Sequence, residues 1–89
     1  MFAAIVGTCP DYVERRQAFR EEHLARMRRL RDEGKVLLGG AWVDPPDGAL
    51  IIYQTGSMPE VWALIDNDPY YRAGLWPEVR VREWNVVIR

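Results

Sequence analysis

From Asp11 to Glu33 the chain contains neither a proline nor a glycine, and charged side chains crowd the stretch. Its apolar residues Tyr12, Phe19, Met27 and Leu30 recur at spacings of seven, eight and three, which lays them along one stripe of a helix. Asp11 stands at an N-cap position with Glu14 three residues later, as in a capping box. Gly34 is suited to the left-handed residue that ends a helix. The spacing therefore predicts one long helix, with Glu22–Arg26 and Arg28–Asp32 as i,i+4 charge pairs on its solvent side. His23, the single histidine of the chain, falls inside the apolar stripe, flanked by Leu24.

The other elements fall into place around this helix. Phe2 to Thr8 is a short apolar run that reads as a strand inside a sheet, closed by Cys9-Pro10. Lys35 to Val43 reads as a strand interrupted by Gly39-Gly40, where a bulge or a close approach to the backbone is expected. Asp44-Pro45-Pro46-Asp47-Gly48 is a turn, and Ala49 to Thr55 returns as the second arm of a hairpin. Ser57 and Glu60 form a second capping-box pattern at the start of a helix over Met58 to Asn67, which Asp68-Pro69 breaks. Tyr70 to Leu75 is a short turn or helical piece. Glu78 to Ile88 alternates as a last strand, with its phase slipping near Glu83. The order is β-α-β-β-α-β, the split βαβ pattern of a ferredoxin-like α+β fold with a four-stranded antiparallel sheet. Both helices would cover one face of that sheet, and a symmetric second copy is the simplest cover for the other.

Length and charge exclude several classes of function. Eighty-nine residues make one small domain, which buries about 60% of its unfolded surface. A formal charge of −1 gives no overall attraction to nucleic acid or to an anionic membrane. The run Arg26 to Arg31 is neutralised by Glu21, Glu22, Asp32 and Glu33, so it reads as a solvated face and not as a nucleic-acid site. No apolar run approaches the ~20 residues that span a bilayer. Met1 to Val6 lacks the positive flank of a signal peptide, and a cytoplasmic location is the default expectation. One cysteine, Cys9, and one histidine leave no metal-ligand cluster, and no nucleotide loop is present; no cofactor is expected.

Two stretches carry chemistry. An imidazole on an apolar helix face is either a hydrogen-bonded core residue or a proton-transfer group, and in both cases it needs a polar partner. Asp66-Asn67-Asp68-Pro69-Tyr70 supplies carboxylates. Asp68 before Pro69 serves helix termination on one reading and orients His23 on the other, with Asp66 as the alternative carboxylate. Arg20, or a backbone amide near Gly40, is placed to steady a developing oxyanion. Trp42, Trp84 and Tyr70 are core or interface anchors on one reading and the wall of a binding pocket on the other.

Taken together, Arg20-x-x-His23-Leu24, Leu30-x-Asp32-Glu33-Gly34-Lys35-Val36-Leu37-Leu38-x-Gly40, Asp66-x-Asp68-Pro69-Tyr70 and Val79-x-Val81-x-x-Trp84 resemble the YCII-related family over nearly the whole chain. The resemblance implies a single YCII-related domain over residues 1–89, pairing as a dimeric α/β barrel. It also implies a pocket whose active-site pair is His23 and Asp68. One group of similar proteins removes chloride from chlorinated hydroxyquinols. Where the family usually has Gly-Pro, this chain has Gly40-Ala41-Trp42, which alters one pocket wall. The expected activity is acid–base chemistry of lyase or isomerase type on a small organic molecule. The alternative is a ligand-binding or interaction module on the same dimeric scaffold, without turnover.

Overall fold

The computed structural model describes residues 1–89 as a four-stranded antiparallel sheet in the order β2-β3-β1-β4. The elements are β1 (Phe2–Gly7), α1 (Tyr12–Arg15), α2 (Arg20–Asp32), β2 (Val36–Ala41), β3 (Gly48–Tyr53), α3 (Met58–Asp66), α4 (Pro69–Arg72) and β4 (Glu78–Glu83). This is the ferredoxin-like α+β arrangement expected from the element order. β1 pairs with β3 from Phe2↔Tyr53 to Gly7↔Gly48 and with β4 from Phe2↔Glu83 to Gly7↔Glu78.

The register sorts the strand residues by face. Phe2, Ala4, Val6, Ile51 and Tyr53 point toward the helices and join Leu30, Val61, Ile65, Tyr70, Leu75 and Trp76 in one core cluster. Ile5, Leu38, Leu50, Ile52 and Trp84 belong to the opposite face, on which no helix packs. Ile5, Leu38, Trp42 and Trp84 are all exposed there, Leu38 by 58%.

Three sequence expectations are corrected. The helix expected over residues 11–33 is broken into α1, a 3₁₀ turn at Arg16–Ala18 and α2. The stripe residue Tyr12 remains buried across the break and meets Tyr70 edge-on at 5.8 Å. Asp11 is not a side-chain cap; it sits at φ 60°, and its carbonyl instead accepts from the Arg15 N–H at 2.9 Å. The last strand stops at Glu83 because its partner does: β1 begins at Phe2, and one further bond joins Trp84 N–H to the Met1 carbonyl at 2.7 Å. That end of pairing accounts for the slipped alternation near Glu83.

Two local expectations are met with changed details. Ser57 caps α3 by accepting from the Glu60 N–H, while the Glu60 carboxylate reaches back to the Gly56 N–H at 3.1 Å, one residue before the cap. The irregularity in β2 lies between Val36 and Leu38, ahead of the glycine pair and not at it. No helix is long and apolar enough to cross a membrane.

Candidate functional site

His23 sits in the first half of α2 and is 9% exposed; Asp68, between α3 and α4, is 2% exposed. The imidazole Nδ1 lies 2.9 Å from each oxygen of the Asp68 carboxylate. A carboxylate accepts only, so Nδ1 carries the proton and donates, which leaves Nε2 with its lone pair free. Asp68 performs a second task. Its Oδ1 accepts from the Tyr70 N–H at 2.8 Å, capping α4, whose first residue is Pro69. Helix termination and histidine orientation, alternatives in the sequence, are carried by one side chain. Asp66, the other candidate carboxylate, is exposed and makes no contact with His23.

The ring of Tyr70 stacks on His23 at 3.8 Å between centroids and 10° between planes. Trp76 meets both rings nearly at right angles, 5.6 Å from His23 and 5.9 Å from Tyr70. With Asp68 on one side and two aromatic rings around it, the imidazole has little freedom to rotate. Burial pushes the Tyr70 phenol above its ordinary range; Tyr12 adds to the effect, and Arg20 and Arg16 oppose it.

Arg26 holds the two halves of the site in place, a role hidden in the sequence. Its guanidinium donates to the carbonyl of Leu64 at 2.8 Å and to that of Asn67 at 3.2 Å. These are orphan carbonyls at the end of α3, immediately before Asp68. Arg26 is one helical turn beyond His23, so the same stretch of α2 presents the imidazole and secures the backbone that carries its partner. The expected Glu22–Arg26 pair does not form, because Arg26 is spent on α3. Arg26 lies midway along α2, so nothing local in the sequence names the helix that it caps.

His23 opens into a cavity of about 330 Å³ between α2, the edge strand β2 and the residues Tyr70 and Trp76. Its apolar wall includes Leu24, Met27, Val36 and Ile51, and Arg16, Arg20, Arg28 and Arg31 line it as well. Of the residues named from sequence, His23, Arg20, Gly40 and Tyr70 line this cavity. Gly40 contributes backbone only: a Cβ there would point into open space on the uncovered sheet face. Gly39, paired with Ile51, faces the helices, and it is this glycine whose missing side chain keeps the cavity floor open. Trp42 and Trp84 do not line the cavity. They lie at opposite ends of the uncovered face: Trp42 packs over Gly48, and Trp84 follows the far end of β4. No three His, Cys, Asp or Glu side chains come together anywhere in the chain.

Fold and site together define a small ferredoxin-like α+β protein with a buried His–Asp pair at the wall of an arginine-lined cavity. The YCII-related domain model matches residues 1–85, and the chain belongs to that family. Protein YciI of Escherichia coli O6:H1 is 35% identical, with 86% of this chain and 88% of that protein covered. An uncharacterized protein of Haemophilus influenzae is 30% identical over 88% of this chain and 89% of its own. Among solved structures, the 5-chloro-2-hydroxyhydroquinone dehydrochlorinase of Burkholderia phenoliruptrix, in complex with 2,5-dihydroxybenzoquinone, superposes with a TM-score of 0.80. It is 26% identical, with 96% of this chain and 94% of that chain covered.

Proposed function

We propose that this protein is an acid–base enzyme of lyase type acting on a small, ring-sized organic molecule, with His23 as the proton-transfer group. The observation that carries the reading is the Nδ1 of His23 held 2.9 Å from both oxygens of a buried carboxylate, at the wall of a cavity. In that tautomer Nε2 accepts a proton from the substrate. The imidazolium so formed rests against the Asp68 carboxylate, which stabilises it without taking the proton. Arg20, at the cavity rim, is placed to offset negative charge that develops on a substrate oxygen. A cavity of about 330 Å³ is at the small end for ligand sites and matches a single-ring molecule. The dehydrochlorinase with the similar fold supports the same reaction class.

The test uses chloride release from 5-chloro-2-hydroxyhydroquinone, and ring-proton exchange of 2,5-dihydroxybenzoquinone in heavy water. Wild-type protein is expected to accelerate at least one of them, and His23→Gln to lose a factor of about 10²–10⁴. Binding of the quinone with neither reaction above the buffer rate would favour the alternative, a ligand-binding module without turnover.

A second copy completes the scaffold in this reading. Ile5, Leu38, Trp42 and Trp84 form an exposed apolar face on the sheet, the surface that a symmetric dimer would bury. Sedimentation of the wild-type chain is expected to give a dimer, and Ile5→Asp to shift it toward monomer. A wild-type monomer at micromolar concentration would rule this assembly out.

A further inference from the structure

Three polar hydrogens on residues of the cavity wall have no acceptor within the protein. Tyr70 Oη, Trp76 Nε1 and Arg16 Nε are each shut off from solvent and donate no hydrogen bond. Tyr70 and Trp76 are themselves 2% and 3% exposed, so these are buried donors on well-packed side chains. An unsatisfied buried donor costs about 1–3 kcal/mol, and native proteins seldom tolerate even one without a reason. Here all three belong to residues that line the same cavity. Each offers a hydrogen; Trp76 Nε1 and Arg16 Nε cannot accept one.

The charge around them has one sign. Four arginines and no aspartate or glutamate line the cavity, Asp68 standing behind His23. Arg31 is paired with Asp32, whereas Arg16, Arg20 and Arg28 have no acidic partner. Arg16 instead lies over the ring of Tyr12, at 5.3 Å from its centroid, which fixes the direction of its guanidinium. The remainder of the wall is apolar and lies against the stacked pair of His23 and Tyr70.

We propose that the cavity is built for a carboxylate-bearing ring, with the carboxylate received by the hydrogens of Tyr70 Oη, Trp76 Nε1 and Arg16 Nε and the ring lying against Leu24, Met27 and Ile51. This rests on the proton-transfer reading only in placing the substrate beside His23; it adds the substrate's charge and the groups that recognise it. Arg20 and Arg28 at the rim raise the local concentration of anions and make capture sensitive to salt. A neutral isostere leaves the buried donors partly unpaired, which is the source of discrimination.

Benzoate and benzamide, which differ in charge and hardly in shape, test this on the full-length chain labelled with ¹⁵N. The four indole N–H signals report each tryptophan separately, and Trp76→Phe identifies the one that matters. Benzoate is expected to bind at least tenfold more tightly than benzamide and to move the Trp76 N–H signal downfield. Tyr70→Phe removes a hydroxyl that donates no hydrogen bond, so it should fold normally, weaken benzoate about five- to tenfold and leave benzamide unchanged. Equal affinity for the two compounds, an unmoved Trp76 signal, or no benzoate binding up to 20 mM would each overturn the proposal. The two readings separate in the His23→Gln variant. Retained benzoate binding there, with wild-type proton transfer absent, removes the catalytic reading alone; wild-type proton transfer without benzoate selectivity removes the anion site alone.

Discussion

Replacing Asp68 by asparagine changes the electronic state of His23 while leaving the backbone nearly as it is. Asparagine keeps a carbonyl oxygen that can accept the Tyr70 N–H, so the cap of α4 survives the exchange. Oδ2, the second oxygen 2.9 Å from Nδ1, is then replaced by an NH₂ group, which donates and disfavours a proton on Nδ1. The imidazole answers by moving its proton to Nε2 and presenting Nδ1 as the acceptor. The lone pair that faced the cavity is lost, and proton abstraction should fall by about 10²–10⁴, the ordinary worth of a positioned base.

The cost in stability is smaller. A hydrogen bond to a charged group contributes about 1.5–3 kcal/mol, and part of it is recovered by the neutral bond in the variant. A loss of about 1–2 kcal/mol is therefore expected, a fall in Tm of roughly 4–16 °C for a domain of this size. Asp68→Ala is a poorer probe. It would remove the histidine's partner and the cap together, leave the Tyr70 N–H unpaired, and consume much of a stability of about 5–15 kcal/mol. Long-range ¹H–¹⁵N correlation reads the tautomer directly, because only one imidazole is present. Wild type should show the proton on Nδ1 and Asp68→Asn the proton on Nε2. An unchanged pattern in the variant would refute the claim that Asp68 sets the state of His23.

Other outcomes follow from separate features. Arg26→Ala frees the carbonyls of Leu64 and Asn67; it should cost about 1–3 kcal/mol by thermal unfolding and broaden the His23 ring signals as the Asp68 segment loosens. Gly39→Val projects methyl groups into the cavity, yet its Cβ meets nothing closer than Ile51 Cγ1 at 3.4 Å; ligand binding should fall with Tm retained or raised. Gly48→Ala places a Cβ 2.9 Å from the Trp42 ring and into the Val6 carbonyl, and should lower stability by about 1–3 kcal/mol, read by urea unfolding. Tyr53 is held neutral by burial, with Asp68 adding and Arg26 opposing, so its pKa is raised above the ordinary 10.0. The unfolded chain then releases this proton first, so stability is intact below pH 10 and declines above it by up to about 1.4 kcal/mol per pH unit. Tyr53→Phe should flatten that decline in alkaline denaturation curves.

The sequence disclosed the fold because its signals are local. The apolar run of Phe2 to Thr8, the turn at Asp44 to Gly48 and the Ser57 cap each specify their own element, and their order leaves few topologies. His23 and Asp68 could be nominated together because a polar group on an apolar stripe demands a partner, and the family resemblance indicated which carboxylate it was. What stayed hidden depends on distant contacts. The break at Arg16–Ala18 goes with the contact of Tyr12 with Tyr70, and the capping role of Arg26 follows from where α3 ends. Trp42 and Trp84 stayed undivided between interface and pocket wall because both belong to the sheet face away from the helices, and only the register assigns faces. Arg16 and Trp76 gave no local sign at all, since a donor without a partner is visible only once the chain has closed around it.

The inner position of β1, between β3 and β4, also sets when the protein can come into being. Synthesis delivers β1 first, and the strand that covers its second edge, Glu78–Glu83, arrives after every other element. Until then a nascent chain carries an apolar strand with an open edge, the kind of surface that recruits other strands. The contact between His23 and Asp68 likewise waits across 45 residues. A chain arrested on the ribosome before Glu78 would hold both partners of the site and still lack the fourth strand of the sheet beneath them. Such intermediates should need a chaperone's shelter, and the completed molecule should assemble slowly for its size, because its last sheet pairing is also its longest in sequence.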